Sequence, residues 1–291
     1  MSTSAVLPSG THVGQVTLQI ADLDRSLAFY QQVIGFHLIE RTVDGGVRLA
    51  RLGTGRPSSC LLELREKPGV RHVPPRGLIG LYHFAILLPE RADLGRFIVH
   101  AANSGTRIAA ANHLFSEALY LTDPDGLQVE VYRDRPRTDW TYRDGQVVGD
   151  TLPLDFDPVI ASAAGTTWAG LPDGAMMGHV HLCVRDLARA HAFYVAAIGF
   201  SPTVTSMPGA LFVAAGGYHH HVGLNTWAGS APQATDDDAR LLTWDLVLPD
   251  TTQVDAAVAR LHAAGYSVAT AGDTPVARDP WDIAVRLTAG R

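Results

Sequence analysis

The chain has 291 residues, 46% of them hydrophobic, with a mean hydropathy of +0.07. That is enough apolar material for one large or two medium packed domains, and it excludes a largely disordered chain. The net charge is -6 with the 13 histidines counted neutral, and no lysine or arginine block occurs, which argues against nucleic acid or an anionic membrane as the main partner and leaves a small ligand.

Residues 14–20 (GQVTLQI) read as a strand. Asp22 then caps a helical pattern with Leu23, Leu27, Tyr30 and Ile34 on one stripe, which Gly35 stops. Alternating runs at 47–52 and 60–66 follow as strands. A second kind of unit begins with a strand at 82–88, a helix at 91–102 and a short strand at 106–109. The stretch 113–130 then supplies an alternating run at 118–122, a turn at Asp123-Pro124-Asp125-Gly126, and a returning run at 127–132. If the turn pairs these two runs in the expected register, Tyr120 faces the same side as Glu130.

Residues 133–175 are rich in Pro, Asp, Gly and Thr and are long for a connection inside one compact domain. The expected division is therefore a domain at 1–136, a linker at 137–175 and a domain at 176–291. Beyond the linker the first unit recurs. Shifted by 164 positions, GQVTLQIADLDRSLAFYQQVIGF becomes GHVHLCVRDLARAHAFYVAAIGF (178–200), with 12 identities in 23 positions. Runs at 210–214 and 220–225 follow it, and segments 243–248, 254–264 and 277–287 repeat the order of the second unit. The fold class is α+β, with four βαβββ modules, two per half. The two cysteines, Cys60 and Cys183, sit in apolar runs and no secretory signal opens the sequence, so a reduced, cytoplasmic setting is expected, with a disulfide between them left open.

Four such modules resemble the vicinal oxygen chelate superfamily (the glyoxalase/bleomycin resistance/dihydroxybiphenyl dioxygenase-like fold), whose paired modules curl into cups that hold a divalent metal. Within it, the chain is most similar to extradiol ring-cleaving dioxygenases of the catechol 2,3-dioxygenase type. The phrases carrying the resemblance are GLYHFAILLP (80–89), SEALYLTDPDGLQVEVYRDRP (116–136), GHVHLCV (178–184) and GGYHHHVGLNTW (216–227). The resemblance implies a metal held by one His early in the first strand of each of two modules and by a Glu on a last strand. Those slots hold Gln15, His83 and Glu130 in the first half. In the second they hold His179, Thr243 and Arg286, because DPWDIAVRL aligns with DPDGLQVEV. Neither half is complete, but pairing module 2 with module 3 gives His83, Glu130 and His179. His220 then stands where the family has its acid-base His, and His113 and Tyr120 where it has its other His and its Tyr. Modules 1 and 4 would form a second cup around Gln15, Thr243 and Arg286, expected to be metal-free because an arginine repels a cation.

Two imidazoles and one carboxylate on one face of a metal leave open positions and suit non-haem Fe(II), with Mn(II) as the alternative. The implied reaction is extradiol cleavage of catechol or a substituted catechol with O2 to a muconic semialdehyde. His220 would manage protons while His113 and Tyr120 hydrogen-bond the substrate oxygens. The implied partners are a small aromatic diol and O2, with no nucleic acid and no membrane; a homo-oligomer is in keeping with the family. Two other readings stand beside it: a glyoxalase-type metal-dependent lyase or isomerase, and a non-catalytic small-ligand-binding protein on the same modules.

Single histidines on strands are more often surface or satisfied core residues, and His12, His37, His72, His100, His191 and His262 are read so. Along a strand, His219 and His221 share a face that His220 does not, and the resemblance selects His220. His181, two residues beyond His179, is either a cup-lining residue or the ligand itself. Gln15 is a strand residue or, as in related glyoxalases, a ligand. Trp227, Trp244 and Trp281 are read as core, or else as pocket wall.

Overall fold

A computed structural model describes residues 6–55 and 60–290. Module 1 contributes strands β1 (His12–Ile20), β2 (His37–Asp44), β3 (Val47–Gly53) and β4 (Leu62–Glu66), and module 2 contributes β5 (Gly80–Leu87), β6 (Ala109–Asn112), β7 (Ser116–Thr122) and β8 (Gln128–Asp134). A short ribbon, β9 (Tyr142–Arg143) and β10 (Gln146–Val147), lies between the halves. Module 3 then supplies β11 (Met176–Cys183), β12 (Ser201–Val204), β13 (Ala210–Ala214) and β14 (Val222–Asn225), and module 4 β15 (Arg240–Leu248), β16 (Val268–Ala271), β17 (Thr274–Arg278) and β18 (Ala284–Ala289).

The modules pair across the halves. One eight-stranded sheet runs β16-β17-β18-β15-β1-β4-β3-β2, joining module 4 to module 1; the other runs β12-β13-β14-β11-β5-β8-β7-β6, joining module 3 to module 2. Period-two alternation explains how both sheets share one core. Val16, Leu18 and Ile20, Phe84 and Ile86, Val180 and Leu182, and Trp244 and Leu246 are buried in one apolar cluster, which turns the residues between them to the opposite faces.

The repeat extends to local detail. Helix α1 (Leu23–Ala28) is capped by the Asp22 carboxylate accepting from Arg25 N at 2.9 Å, widens into a π-helical turn over Phe29–Ile34, and stops at Gly35 with φ 92°. Among the other helices, α2 (Arg91–Asn103) follows β5, α3 (Phe156–Ser162) lies in the connection, and α4 (Leu187–His191) repeats α1: Asp186 caps it, Ala192–Ile198 is π-helical and Gly199 has φ 109°. Helix α5 (Thr251–Ala263) completes module 4. In each half a buried tyrosine of the π turn donates to the first aspartate of the distant turn: Tyr30 to Asp123 at 2.9 Å and Tyr194 to Asp279 at 3.0 Å. These bonds tie module 1 to module 2 and module 3 to module 4, within the halves that the sheets cross.

Some local expectations shift. The short strand expected at 106–109 lies at Ala109–Asn112, and β2 shows no period-two pattern because all but one of its residues are exposed. The connection at 137–175 is folded, burying Trp140, Val147 and Val159. Cys60 and Cys183 are free thiols, each pushed up to about 11 by burial. Trp244 and Trp281 are core residues, but Trp227 is 47% exposed. No helix among the described residues is long and apolar enough to cross a membrane.

Candidate metal centre and cavity

The middle of the second sheet is where modules 2 and 3 meet. Strands β5 and β11 run antiparallel with His83 opposite His181 and Ala85 opposite His179, and an irregularity at Gly178 breaks the register of β11. Strand β8 runs parallel to β5 and sets Glu130 beside Ala85. With Phe84, Val129, Val131, Val180 and Leu182 facing the core, His83, Glu130, His179 and His181 share the other face. A Cβ on Gly178 would lie 1.9 Å from the Tyr132 hydroxyl, and one on Gly223 2.7 Å from the His181 ring, so both glycines are needed for the close approach of side chains in this layer.

His83 Nε2 and His179 Nε2 are 3.3 Å apart, and they lie 2.9 and 3.1 Å from the same Oε2 of Glu130. All three residues are buried. Ligand atoms about 2.1 Å from an ion and at right angles to one another are about 3 Å apart, which these separations match. The donor chemistry agrees, since only one hydrogen fits between two ring nitrogens, whereas a single cation would satisfy both imidazole lone pairs and the carboxylate together. Burial opposes charge on Glu130, but His179 and His83 outweigh it and hold the carboxyl well below its usual range. Burial takes His179 down to about 4. An ionised carboxylate beside a neutral imidazole is the protonation pattern that metal binding requires.

A cavity of about 900 Å³ opens over this group, lined by His83, Glu130, His113, Tyr120, His181 and His220 together with Tyr82, Phe212 and Trp227. Tyr120 pairs directly with Glu130 across β7 and β8, the register expected from the turn. The Asp150 carbonyl can only accept, so His113 donates to it from Nδ1 at 2.8 Å, and its Nε2 accepts from the Tyr120 hydroxyl at 2.7 Å. Burial and the charge of Glu130 raise Tyr120 well above its usual range, which keeps the hydroxyl a donor.

The triple histidine departs from strand geometry. Residues 219–221 form a bend just ahead of β14, so strict alternation does not apply, and all three are buried. His220 lines the cavity, with its ring centroid 4.1 Å from that of His179. His221 turns its Nδ1 to accept from Ala215 N at 3.2 Å. His181 also lines the cavity, but its Nε2 accepts from the Asn225 amide at 3.0 Å and does not join the converging ligand atoms. Sequence reasoning missed the Asp134–His219 contact at 2.8 Å, although Glu130, Tyr132 and Asp134 alternate along β8 and so announce a shared face.

The corresponding region of the first sheet is built differently. Arg286 forms a two-point ion pair with Asp245, with both contacts at 2.7 Å, and Asp245 is its direct neighbour across β15 and β18. Gln15 donates to the Thr17 hydroxyl at 3.1 Å, and Thr17 pairs with Thr243. Glu63 on β4 is held by Arg51 at 3.0 Å and Arg65 at 3.4 Å.

Comparison with known proteins agrees with this architecture. The family model for the Glyoxalase/Bleomycin resistance protein/Dioxygenase superfamily matches residues 12–131 and 176–280. The chain is 42% identical over 274 residues to the catechol-2,3-dioxygenase of Bacillus subtilis (strain 168), covering 93% of this chain and 94% of that one. Among solved structures, a protein of Bacillus subtilis subsp. subtilis str. 168 superposes with a TM-score of 0.69 at 14% identity, covering 98% of this chain and 86% of that chain. Glyoxalase I from Zea mays superposes at 0.58 with 18% identity, covering 96% and 92%. With four repeated modules, two cross-paired sheets and matches in both halves, the chain belongs to the Glyoxalase/Bleomycin resistance protein/Dioxygenase superfamily.

Proposed function

We propose that the protein is an extradiol dioxygenase that cleaves the ring of catechol or a substituted catechol beside its diol, both atoms of O2 entering a muconic semialdehyde. The observation that carries this reading is the convergence of His83, Glu130 and His179 beneath a cavity whose wall bears His220, His113 and Tyr120. The 42% identity to a catechol-2,3-dioxygenase along most of both chains supports it. So does the carboxylate-free cavity wall at His220, where a glyoxalase-type site usually adds a carboxylate.

The ion is proposed to be Fe(II), with Mn(II) as the alternative; held by these three side chains, it would supply a Lewis acid that takes the diol oxygens and a one-electron centre for O2 activation. His83, Glu130 and His179 bring a single negative charge to the cation, which leaves it attractive to an anionic diol. His220 accepts a diol proton as general base and returns it as acid when the ring opens. Tyr120, oriented by His113, hydrogen-bonds a substrate oxygen from a fixed direction. Tyr82, Phe212 and Trp227 offer the aromatic ring an apolar wall and limit water at the reacting atoms. Two free thiols, Cys183 buried and Cys60 partly buried, accord with a reduced cytoplasmic setting.

The test is anaerobic reconstitution with Fe(II) or Mn(II), followed by addition of catechol and substituted catechols with air. Oxygen uptake matched mole for mole by a yellow ring-fission product is the expected result. No oxygen uptake with any of these diols and either metal would overturn the proposal.

A further inference from the structure

The wall of the cavity holds a string of polar groups that lies apart from the converging ligand atoms. Asp134 ends β8, four residues beyond Glu130 and so on the same face. Its Oδ1 is 2.8 Å from His219 Nε2, and His219 Nδ1 is 2.8 Å from His220 Nδ1. The His219 ring is fully buried, stacked on Phe115 at 4.4 Å with 18° between planes and covered by Tyr218 at 4.0 Å. Its orientation is therefore fixed by packing as well as by hydrogen bonds.

Donor and acceptor rules decide where the protons sit. A carboxylate only accepts, so His219 carries its hydrogen on Nε2. A neutral imidazole has one N–H, which leaves a lone pair on His219 Nδ1. The 2.8 Å contact between the two Nδ1 atoms then needs its hydrogen on His220. His220 lines the cavity with Nδ1 turned into the protein, so Nε2 is the ring nitrogen left to face the cavity.

From this geometry we infer that Asp134 and His219 are positioning residues that lock His220 in its Nδ1–H tautomer, presenting an unprotonated Nε2 to the substrate. The role in turnover rests on the dioxygenase reading above. When a diol O–H breaks, its hydrogen forms the N–H bond at His220 Nε2 and its electron pair stays on the diol oxygen. The resulting imidazolium donates from Nδ1 to His219, whose own N–H stays on the Asp134 carboxylate. No proton travels along the string. Asp134 holds His219, and His219 holds His220, much as the aspartate of a Ser-His-Asp triad orients its histidine.

The deciding measurement is ring 15N NMR of the full-length, histidine-labelled protein loaded with diamagnetic Zn(II), with the signals assigned from the His219→Phe and His220→Phe spectra. The expected spectrum has His220 protonated at Nδ1 and His219 at Nε2. His220 protonated at Nε2 would overturn the inference whatever the activity. Two variants extend the test. His219→Phe keeps a ring between Phe115 and Tyr218 but removes the acceptor. Asp134→Asn is isosteric at a partly exposed position and replaces an acceptor-only carboxylate by an amide that can accept or donate, which releases both tautomers from their fixed state. For a variant whose His220 spectrum shows the hydrogen moved to Nε2, the expected change is a 10²–10⁴-fold fall in kcat with KM and metal content within twofold of wild type. A kcat within twofold of wild type in a variant whose His220 tautomer has switched would refute the positioning role. If the unsubstituted protein turns over no diol, the dioxygenase reading fails, while the NMR spectrum still decides the tautomer.

Discussion

The two sheets are built from the same four-module repeat, yet their concave faces carry opposite chemistry. In the sheet of modules 2 and 3, the central slots hold His83, His179 and Glu130, three groups with lone pairs turned toward one point. In the sheet of modules 1 and 4, the slot of Glu130 holds Arg286, and that of Ala85 holds Asp245, so the charges cancel side by side at 2.7 Å. One face gathers three groups able to hold a cation, and the other carries its own positive charge. The difference shows that the modules specify a scaffold, while a few substitutions at repeat-related positions decide whether its face gathers unpaired ligand-type groups or an ion pair.

The comparison is tested most severely by Glu130→Ala, which removes the only anion among the three converging groups. The expected result is loss of bound metal and a fall in oxygen uptake of roughly 10³-fold or more, beyond the 10–100-fold typical of outer partners. Metal analysis of the purified variant checks it, and retention of stoichiometric metal would move the centre elsewhere. His220→Gln comes next. It takes away the proposed base while leaving the three ligands, so turnover should fall 10²–10⁴-fold with metal retained. Tyr120→Phe should cost about 5-fold in kcat/KM through one lost neutral hydrogen bond, because the Tyr120 hydrogen is held by His113 and its oxygen accepts from a substrate O–H.

In the other cup, Arg286→Leu should leave metal content and turnover unchanged. It strands Asp245, which is only 7% exposed, and should lower stability by about 2 kcal/mol, less than for a fully buried pair because Arg286 still reaches solvent. Denaturant melts together with metal analysis separate the two effects. Loss of metal from this variant, with Glu130→Ala unaffected, would invert the assignment of the cups.

How much of this was legible in the sequence follows from what each feature depends on. The crossed pairing could be read because the repeat aligns Glu130 with Arg286 and leaves the first half one ligand short and the second half two. The register of Tyr120 with Glu130 could be read because a four-residue turn with Asp and Gly joins two alternating runs. The His219 string could not, because it needs the bend at 219–221: alternation sets His220 alone toward the cavity but does not show that its Nδ1 meets that of His219. Strand β2 is implied by the βαβββ order but has no position in the sequence reading for a different reason: it buries almost nothing, so no periodicity marks it. The role of His181 was left open by spacing alone and depends on Asn225, whose side chain turns the ring nitrogen away from the converging ligands.

The last expected effect leaves metal and turnover untouched and concerns the tyrosine–aspartate bonds that repeat in both halves. Burial pushes Asp123 and Asp279 up to about 6 from an ordinary aspartate value near 4, although each also accepts two backbone N–H bonds through Oδ1. With the folded value above the unfolded one, the native state holds protons that the unfolded chain has released. Their stabilising contribution is therefore complete below about pH 4 and is lost as pH rises through about 6, amounting to about 3 kcal/mol per residue across that window. Asp123→Asn keeps an oxygen for the backbone bonds and cannot ionise, so it should flatten this part of the curve. The measurement is the difference in unfolding free energy between Asp123→Asn and the parent protein from pH 4 to pH 7. The variant should gain on the parent as pH rises. A constant difference would show that Asp123 titrates alike in both states, and that the bond joining module 1 to module 2 acts through geometry alone.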